Sequence, residues 1–136
     1  MENDDRQKKR ALYLKLVKKN ILPYICVLFV CFCEINNAEQ LRVRPLFGIT
    51  AACVFMVLPL YGVFYGIFSY CNTKSIVAPN ITLLCINIIG SSAVFSLMSG
   101  SLELISGTIM ALILTVISFI AACITKLIIW IKSQKR

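Results

Sequence analysis

Residues 102–131 read LELISGTIMALILTVISFIAACITKLIIWI, and this stretch decides the class of fold. Within it, only Glu103 and Lys126 carry a charge. A helix needs about 20 apolar residues to cross about 30 Å of hydrocarbon, because each residue rises about 1.5 Å. The stretch is longer than one crossing requires, so we expect its end to tilt or to emerge near Lys126 and Trp130.

Two earlier stretches, 46–70 and 76–98, have the same apolar character, and Lys74 lies between them. The whole chain agrees with them. Of its 136 residues, 59% are hydrophobic and 15% charged, and its mean hydropathy is +0.84. A soluble domain of this length would need a polar outer face on every helix. The composition therefore predicts that lipid, and not water, surrounds most of the chain.

The first apolar stretch, 21–33, is short for a span. It becomes long enough if the helix covers 18–36, with Lys18 and Lys19 extending their alkyl stems along the apolar boundary. The alternative is a signal peptide, with a basic leader and 21–33 as its apolar region, which would leave three spans and an external amino end. We favour a retained span because the basic leader is long and no A-x-A pattern follows Cys33.

The predicted fold is therefore all-α: an integral membrane protein in which four transmembrane helices form a compact bundle with short loops. The spans are 18–36, 46–70, 76–98 and 102–131. Residues 1–20 form a basic amphipathic segment, 21–131 the transmembrane domain, and 132–136 a basic tail. We expect Pro59 to kink the second span.

The distribution of positive charge predicts the orientation. Of the 14 lysines and arginines, seven precede the first apolar stretch 21–33, Lys74 lies between the second and third spans, and four lie near the carboxyl end, which leaves only Arg42 and Arg44 in the first loop. With an even number of spans these positions share one side, which the positive-inside rule assigns to the cytoplasm. The prediction is a multi-pass protein of the cell membrane with both termini cytoplasmic.

Small residues recur at four-residue spacing on three consecutive spans. A GxxxG pattern lets another helix approach closely, either from a second copy or from within the chain, although glycine is also common in membrane helices generally. The predicted packing positions are Gly62, Gly66, Ser92, Ser96, Gly107 and Ala111.

A polar stripe follows one face of the third span. Asn80, Asn87 and Ser91 are spaced by seven and four residues, so they share a side of a helix. Such a stripe lines a solute pathway in some membrane proteins, and Tyr61 and Tyr65 of the second span would join it. More often, intramembrane amides bond to neighbouring helices.

The residue inventory argues against catalysis, cofactors and metal. The chain has no histidine, and no serine or cysteine has a plausible base beside it. Its seven cysteines fall mostly in apolar runs, where they behave as small hydrophobic residues. Glu34 ends its apolar run and is expected to face water. The net charge of +8 is concentrated at the chain ends, which suits anionic lipid headgroups and not nucleic acid.

Two functional classes are compatible with these features. The first is a non-catalytic accessory or interaction protein: a membrane subunit, a modulator of a transporter or an immunity-type protein. The second is a small oligomeric channel or transporter for a neutral solute or ion that uses the polar stripe. We favour the first because no clearly buried charge marks an ion pathway. Besides the lipid bilayer, the expected partners are further copies of the chain or a larger membrane complex.

Overall fold

The computed structural model describes residues 1–136 and is all-helical, with 88% of the residues in helix and no strands. Its four long helices are α1 (Glu2–Gln40), α2 (Gly48–Thr73), α3 (Val77–Ser99) and α4 (Leu104–Gln134). By length and composition, each is able to cross a membrane. The predicted helical class and the number of apolar helices are therefore confirmed.

Contacts between the helices define their directions. Glu34 of α1 meets Ile49 of α2, whereas Lys19 meets Tyr61, so α1 and α2 are antiparallel. Between α2 and α4, Gly62 contacts Leu114 and Gly66 contacts Ser118. The residue numbers increase in the same direction along both helices, so these helices are parallel. Pairs such as Ser92–Gly107 and Asn87–Thr115 make α3 and α4 antiparallel. Both chain ends therefore lie at the same end of the bundle.

The helices pack in a ring in which α1 contacts α2 and α3, and α4 contacts the same two from the opposite side. The main core cluster includes Tyr24, Val27, Leu58, Val94 and Leu114, which come from all four helices. The outward faces of all four helices expose large apolar side chains. A water-soluble bundle would have polar side chains on these outward faces, so the exposed apolar surface suits a lipid environment.

Helix α1 is longer than the predicted first span. The predicted basic segment 1–20 and the first apolar stretch belong to one continuous helix that ends at Gln40. Pro23 lies inside it and has no N–H to donate to the carbonyl of Lys19. The hydroxyl of Tyr61 on α2 donates to this carbonyl instead. A neighbouring helix thus satisfies the acceptor that proline leaves open, which is how such helices are tolerated in lipid.

The region before Pro59 differs from the expected simple kink. Residues Cys53–Val57 form a π-helical turn in which the N–H of Leu58 donates to the carbonyl of Cys53, one residue further back than in an α-helix. Pro59 then lies in the first turn of the α-helical part that follows. The altered backbone pairing is thus located in the turn that leads into the proline.

The other helix boundaries shift from the prediction by a few residues. Helix α2 begins at Gly48 and ends at Thr73, and Gly100 terminates α3 in a left-handed conformation with φ 71°. At the end of α4, the predicted basic tail 132–136 is helical as far as Gln134. The last turns of α4 are exposed on all sides, with Trp130 58% exposed.

Candidate functional site

The centre of the bundle contains a hydrogen-bonded polar cluster, which we call the central cluster: Tyr24, Asn87, Ser91 and Thr115. The hydroxyl of Tyr24 donates to Oδ1 of Asn87 over 2.7 Å, and Nδ2 of Asn87 donates to Oγ1 of Thr115 over 3.3 Å. Thr115 in turn donates to the carbonyl of Ala111 over 2.8 Å. A directed chain of hydrogen bonds therefore connects α1, α3 and α4.

Ser91 completes the central cluster from the next turn of α3. Its Oγ lies 3.4 Å from the hydroxyl oxygen of Tyr24. Because Tyr24 has one proton and directs it at Asn87, Ser91 is the donor in this contact. Asn87 and Ser91 are 3% and 2% exposed, so their polar groups serve the interior and not the outer surface.

Asn80, the third member of the predicted stripe, does not join the central cluster. It is buried, but its Nδ2 donates to the carbonyl of Ile76, the residue directly before α3, and its Oδ1 has no protein partner. The tyrosines of α2 are separate as well. Tyr61 donates to Lys19 of α1, and Tyr65 donates to the carbonyl of Pro79 on α3 over 3.0 Å. Within the predicted stripe, Asn80 therefore forms a local hydrogen bond, whereas Asn87 and Ser91 form hydrogen bonds to other helices.

A small cavity of about 10 Å³ lies beside the central cluster. Residues from all four helices line it: Asn20, Tyr24, Leu58, Tyr61, Gly62, Leu83, Asn87 and Leu114. This volume is about that of a single water-sized sphere. The cavity is too small to hold a solute larger than water.

The glycine pair of α2 faces α4 of the same chain. A Cβ added to Gly66 would collide with the carbonyl oxygen of Ser118 and lie 3.0 Å from Cβ of Ala121. One added to Gly62 would lie 3.4 Å from the carbonyl oxygen of Leu114, an ordinary contact. Both glycines are buried. The GxxxG face is therefore covered within the chain, so it is not available to a second copy.

The other small residues lie mainly between α3 and α4. A Cβ on Gly107 would overlap Oγ and the backbone of Ser92, so the two helices touch there. Ala111 is fully buried one turn further along α4. Ser96 has a different role: its Oγ accepts a hydrogen bond from the N–H of Glu103 over 3.1 Å, which joins the end of α3 to the start of α4.

Glu34 does not simply face water, contrary to expectation. Its carboxylate accepts hydrogen bonds from the N–H groups of Ile49 and Thr50, over 3.0 and 3.2 Å, and from Oγ1 of Thr50 over 2.6 Å. The first N–H groups of a helix have no partner within it, and its N-terminus attracts negative charge. Glu34 thus caps α2 from the neighbouring helix, and Thr50 is fully buried beneath it.

Two members of the interior polar set were missed from sequence. Tyr24 is not among the predicted polar residues, yet it is 6% exposed and bonded to Asn87. Asn20 attracted no prediction, yet it is 1% exposed and lines the cavity. The available signal was helical spacing. Leu16, Asn20, Tyr24, Val27 and Cys31, all buried, recur every three or four residues along α1.

No three His, Cys, Asp or Glu side chains lie close enough together to hold a metal ion. The seven cysteines are all free. The chain matches no protein-family model, no curated protein and no solved structure. The class defined by the structure is accordingly broad: an all-helical chain with four helices able to span a membrane.

Proposed function

We propose that this chain is an integral protein of the cell membrane with four spans and both termini in the cytoplasm, and that it acts as a non-catalytic accessory or interaction protein. The spans are supported by four apolar helices whose outward faces are apolar as well. Retention of α1 is supported by its packing, because Tyr24 and Val27 belong to the core formed with the other helices.

The functional proposal rests on the bundle interior, in which the polar side chains of the central cluster bond to one another and leave only a small cavity. Two polar residues of the third helix, Asn87 and Ser91, bond to α1 and α4 and are almost completely buried. The cavity beside them holds about 10 Å³. Interior amides that join helices are the common case in membrane proteins, and they support a packing role. What remains for interaction is the outer surface and the two basic ends.

The accessory role predicts how the purified protein behaves in liposomes. Stopped-flow water flux and the fluxes of glycerol, urea and monovalent ions should equal those of protein-free vesicles, with a known channel as the positive control. The critical variant is Asn87→Leu. A flux that the wild-type protein supports and that folded Asn87→Leu abolishes would refute the accessory role in favour of a channel through the bundle.

A positive test locates the interaction surface in native membranes. A photoreactive residue placed at Ile120, which is 51% exposed on α4, should crosslink to a discrete neighbouring protein or to a second copy. The matched control is the same residue at Ser118, which is fully buried on the same helix and should give no intermolecular product. If a scan of exposed positions on all four helices gave only lipid adducts, the interaction role would be rejected.

The proposed orientation has its own test. In a cysteine-free background, Gln40→Cys and Gln7→Cys place single thiols at exposed positions near opposite ends of α1. A membrane-impermeant maleimide should label Gln40→Cys on intact cells and Gln7→Cys only after permeabilisation. External labelling of Gln7→Cys would reject a cytoplasmic amino end.

A second candidate is a small channel or transporter, and one observation favours it. Asn20, Asn87 and two tyrosines line the same cavity near the middle of the bundle. A rearrangement that widened the cavity would expose these polar groups to a neutral solute. The liposome experiment distinguishes this candidate from the accessory role.

A further inference from the structure

The side chain of Asn20 is buried at the centre of the bundle without a protein partner. It is 1% exposed, and neither its Oδ1 nor its Nδ2 forms a hydrogen bond with another protein group. Asn87, by comparison, is paired through both of its polar atoms. The hydroxyl of Tyr65 lies near this amide but donates its own proton to the carbonyl of Pro79. A buried amide whose hydrogen bonds are not satisfied is destabilising, so a bonding group from outside the chain would stabilise Asn20.

The cavity beside Asn20 has the size and lining that one water molecule requires. Its volume of about 10 Å³ is close to that of a single water-sized sphere. Four of the eight lining residues, Asn20, Tyr24, Tyr61 and Asn87, have polar side chains. Cavities that stay dry are lined by apolar groups, whereas a cavity with several polar groups binds water.

We infer that this cavity is a binding site for one water molecule, which is held by the amide of Asn20 and connects it to Asn87 of the central cluster. The donors and acceptors are complementary. Asn20 has two N–H groups and a carbonyl oxygen without a partner, and Asn87 retains a second N–H and a second lone pair beyond the bonds to Tyr24 and Thr115. Water supplies two donors and two acceptors, so it can give each amide one further partner.

The charge of the site distinguishes water from a cation of similar size. None of the residues that line the cavity is a carboxylate. A sodium ion would have to lose its hydration shell in an apolar interior without a compensating negative charge. Water therefore suits the neutral amides. The bound water adds a link between α1 and α3, so it stabilises the bundle independently of the proposed function.

A double-mutant cycle tests this link by thermal unfolding in lipid nanodiscs. Leucine removes the polar atoms of an asparagine at similar volume. If water bridges the two amides, Asn20→Leu and Asn87→Leu should not be additive. The midpoint loss of the double variant should fall short of the sum of the single losses by about 4 °C or more. Additive losses would overturn the bridge.

The matched control cycle combines Asn80→Leu with Asn87→Leu. Asn80 is also buried and also has an unpaired Oδ1, but it does not line the cavity. This second cycle should be additive. A coupling as large as that of Asn20 and Asn87 would indicate a general effect of buried amides and would overturn the assignment to the cavity.

Two further measurements identify the occupant without any variant. A high-resolution structure of the wild-type protein should show one density peak within about 3.2 Å of both amides. The midpoint of unfolding should be the same in sodium and in choline buffers. Absence of the peak, or a midpoint that rises with sodium, would overturn the water assignment, the second result in favour of a cation.

Discussion

Two glycines one turn apart on α2 provide a sharp test of the packing, because the same substitution should have opposite effects at the two positions. In Gly66→Ala, the new methyl group meets the backbone of Ser118 and lies 3.0 Å from Cβ of Ala121. Carbon atoms pack favourably at about 3.5–4.0 Å, and a backbone cannot rotate out of the way. Helix α2 must therefore move away from α4.

The magnitude follows from two opposing contributions. Overpacking of a close contact costs about 1–3 kcal/mol, whereas replacing glycine by alanine in a helix gains about 1 kcal/mol. Gly66→Ala should therefore lower the free energy of unfolding by up to about 2 kcal/mol. In Gly62→Ala the methyl group lies 3.4 Å from the Leu114 carbonyl oxygen, an ordinary contact. This variant should be neutral or stabilised by up to about 1 kcal/mol.

Equilibrium unfolding of both variants in the same mixed micelles provides the measurement, and Gly62→Ala is the internal control. Because the gain in helix propensity is common to both, the two variants should differ by the overpacking cost, about 1–3 kcal/mol. If both variants were as stable as the wild-type protein or more stable, α2 and α4 would not approach as closely at Gly66 as the structure describes. An equal loss in both would instead indicate that the whole GxxxG face is sensitive, as a simple motif argument expects.

Three further substitutions test individual hydrogen bonds by the same unfolding measurement. Tyr61→Phe should cost about 1 kcal/mol because it leaves open the carbonyl that Pro23 frees. The cost should largely disappear in a Pro23→Ala background, and a persistent loss there would exclude this pairing. Glu34→Ala should cost about 1–2 kcal/mol through the uncapped α2, whereas exposed Glu39→Ala should be neutral; equal effects would reject the cap. Tyr24→Phe should cost about 1 kcal/mol, and an unchanged stability would show that its hydroxyl is dispensable.

The sequence predicts the apolar helices well because membrane spans are set by length and composition alone. Each of the three later helices begins and ends within a few residues of the predicted span. The first helix differs more, since 1–20 and 21–40 form one continuous element. The polar segment continues the helix without a break, and composition does not mark where a helix leaves the hydrocarbon.

Interior contacts are predicted less completely, because they depend on the rotation and the axial position of each helix relative to its neighbours. Helical spacing correctly groups Asn87 with Ser91 on one face, and both contact Tyr24. Spacing alone also adds Asn80, which bonds locally to Ile76 instead. Glu34 was expected to face water because the sequence does not indicate that the loop between α1 and α2 brings the first turn of α2 next to this side chain. These relations depend on tertiary placement.

The bonds between α1 and α2 have a consequence for the order in which the protein is made. Alone in a bilayer, α1 would carry an open carbonyl at Lys19, and its relatively short apolar stretch would have to compensate for it. The donor, Tyr61, is synthesised 42 residues later. At the other end, α2 needs Glu34 of the earlier helix for its first N–H groups. Each helix thus supplies what its neighbour lacks. For the membrane protein proposed above, this favours release of α1 and α2 from the insertion machinery as a hairpin and not one after the other.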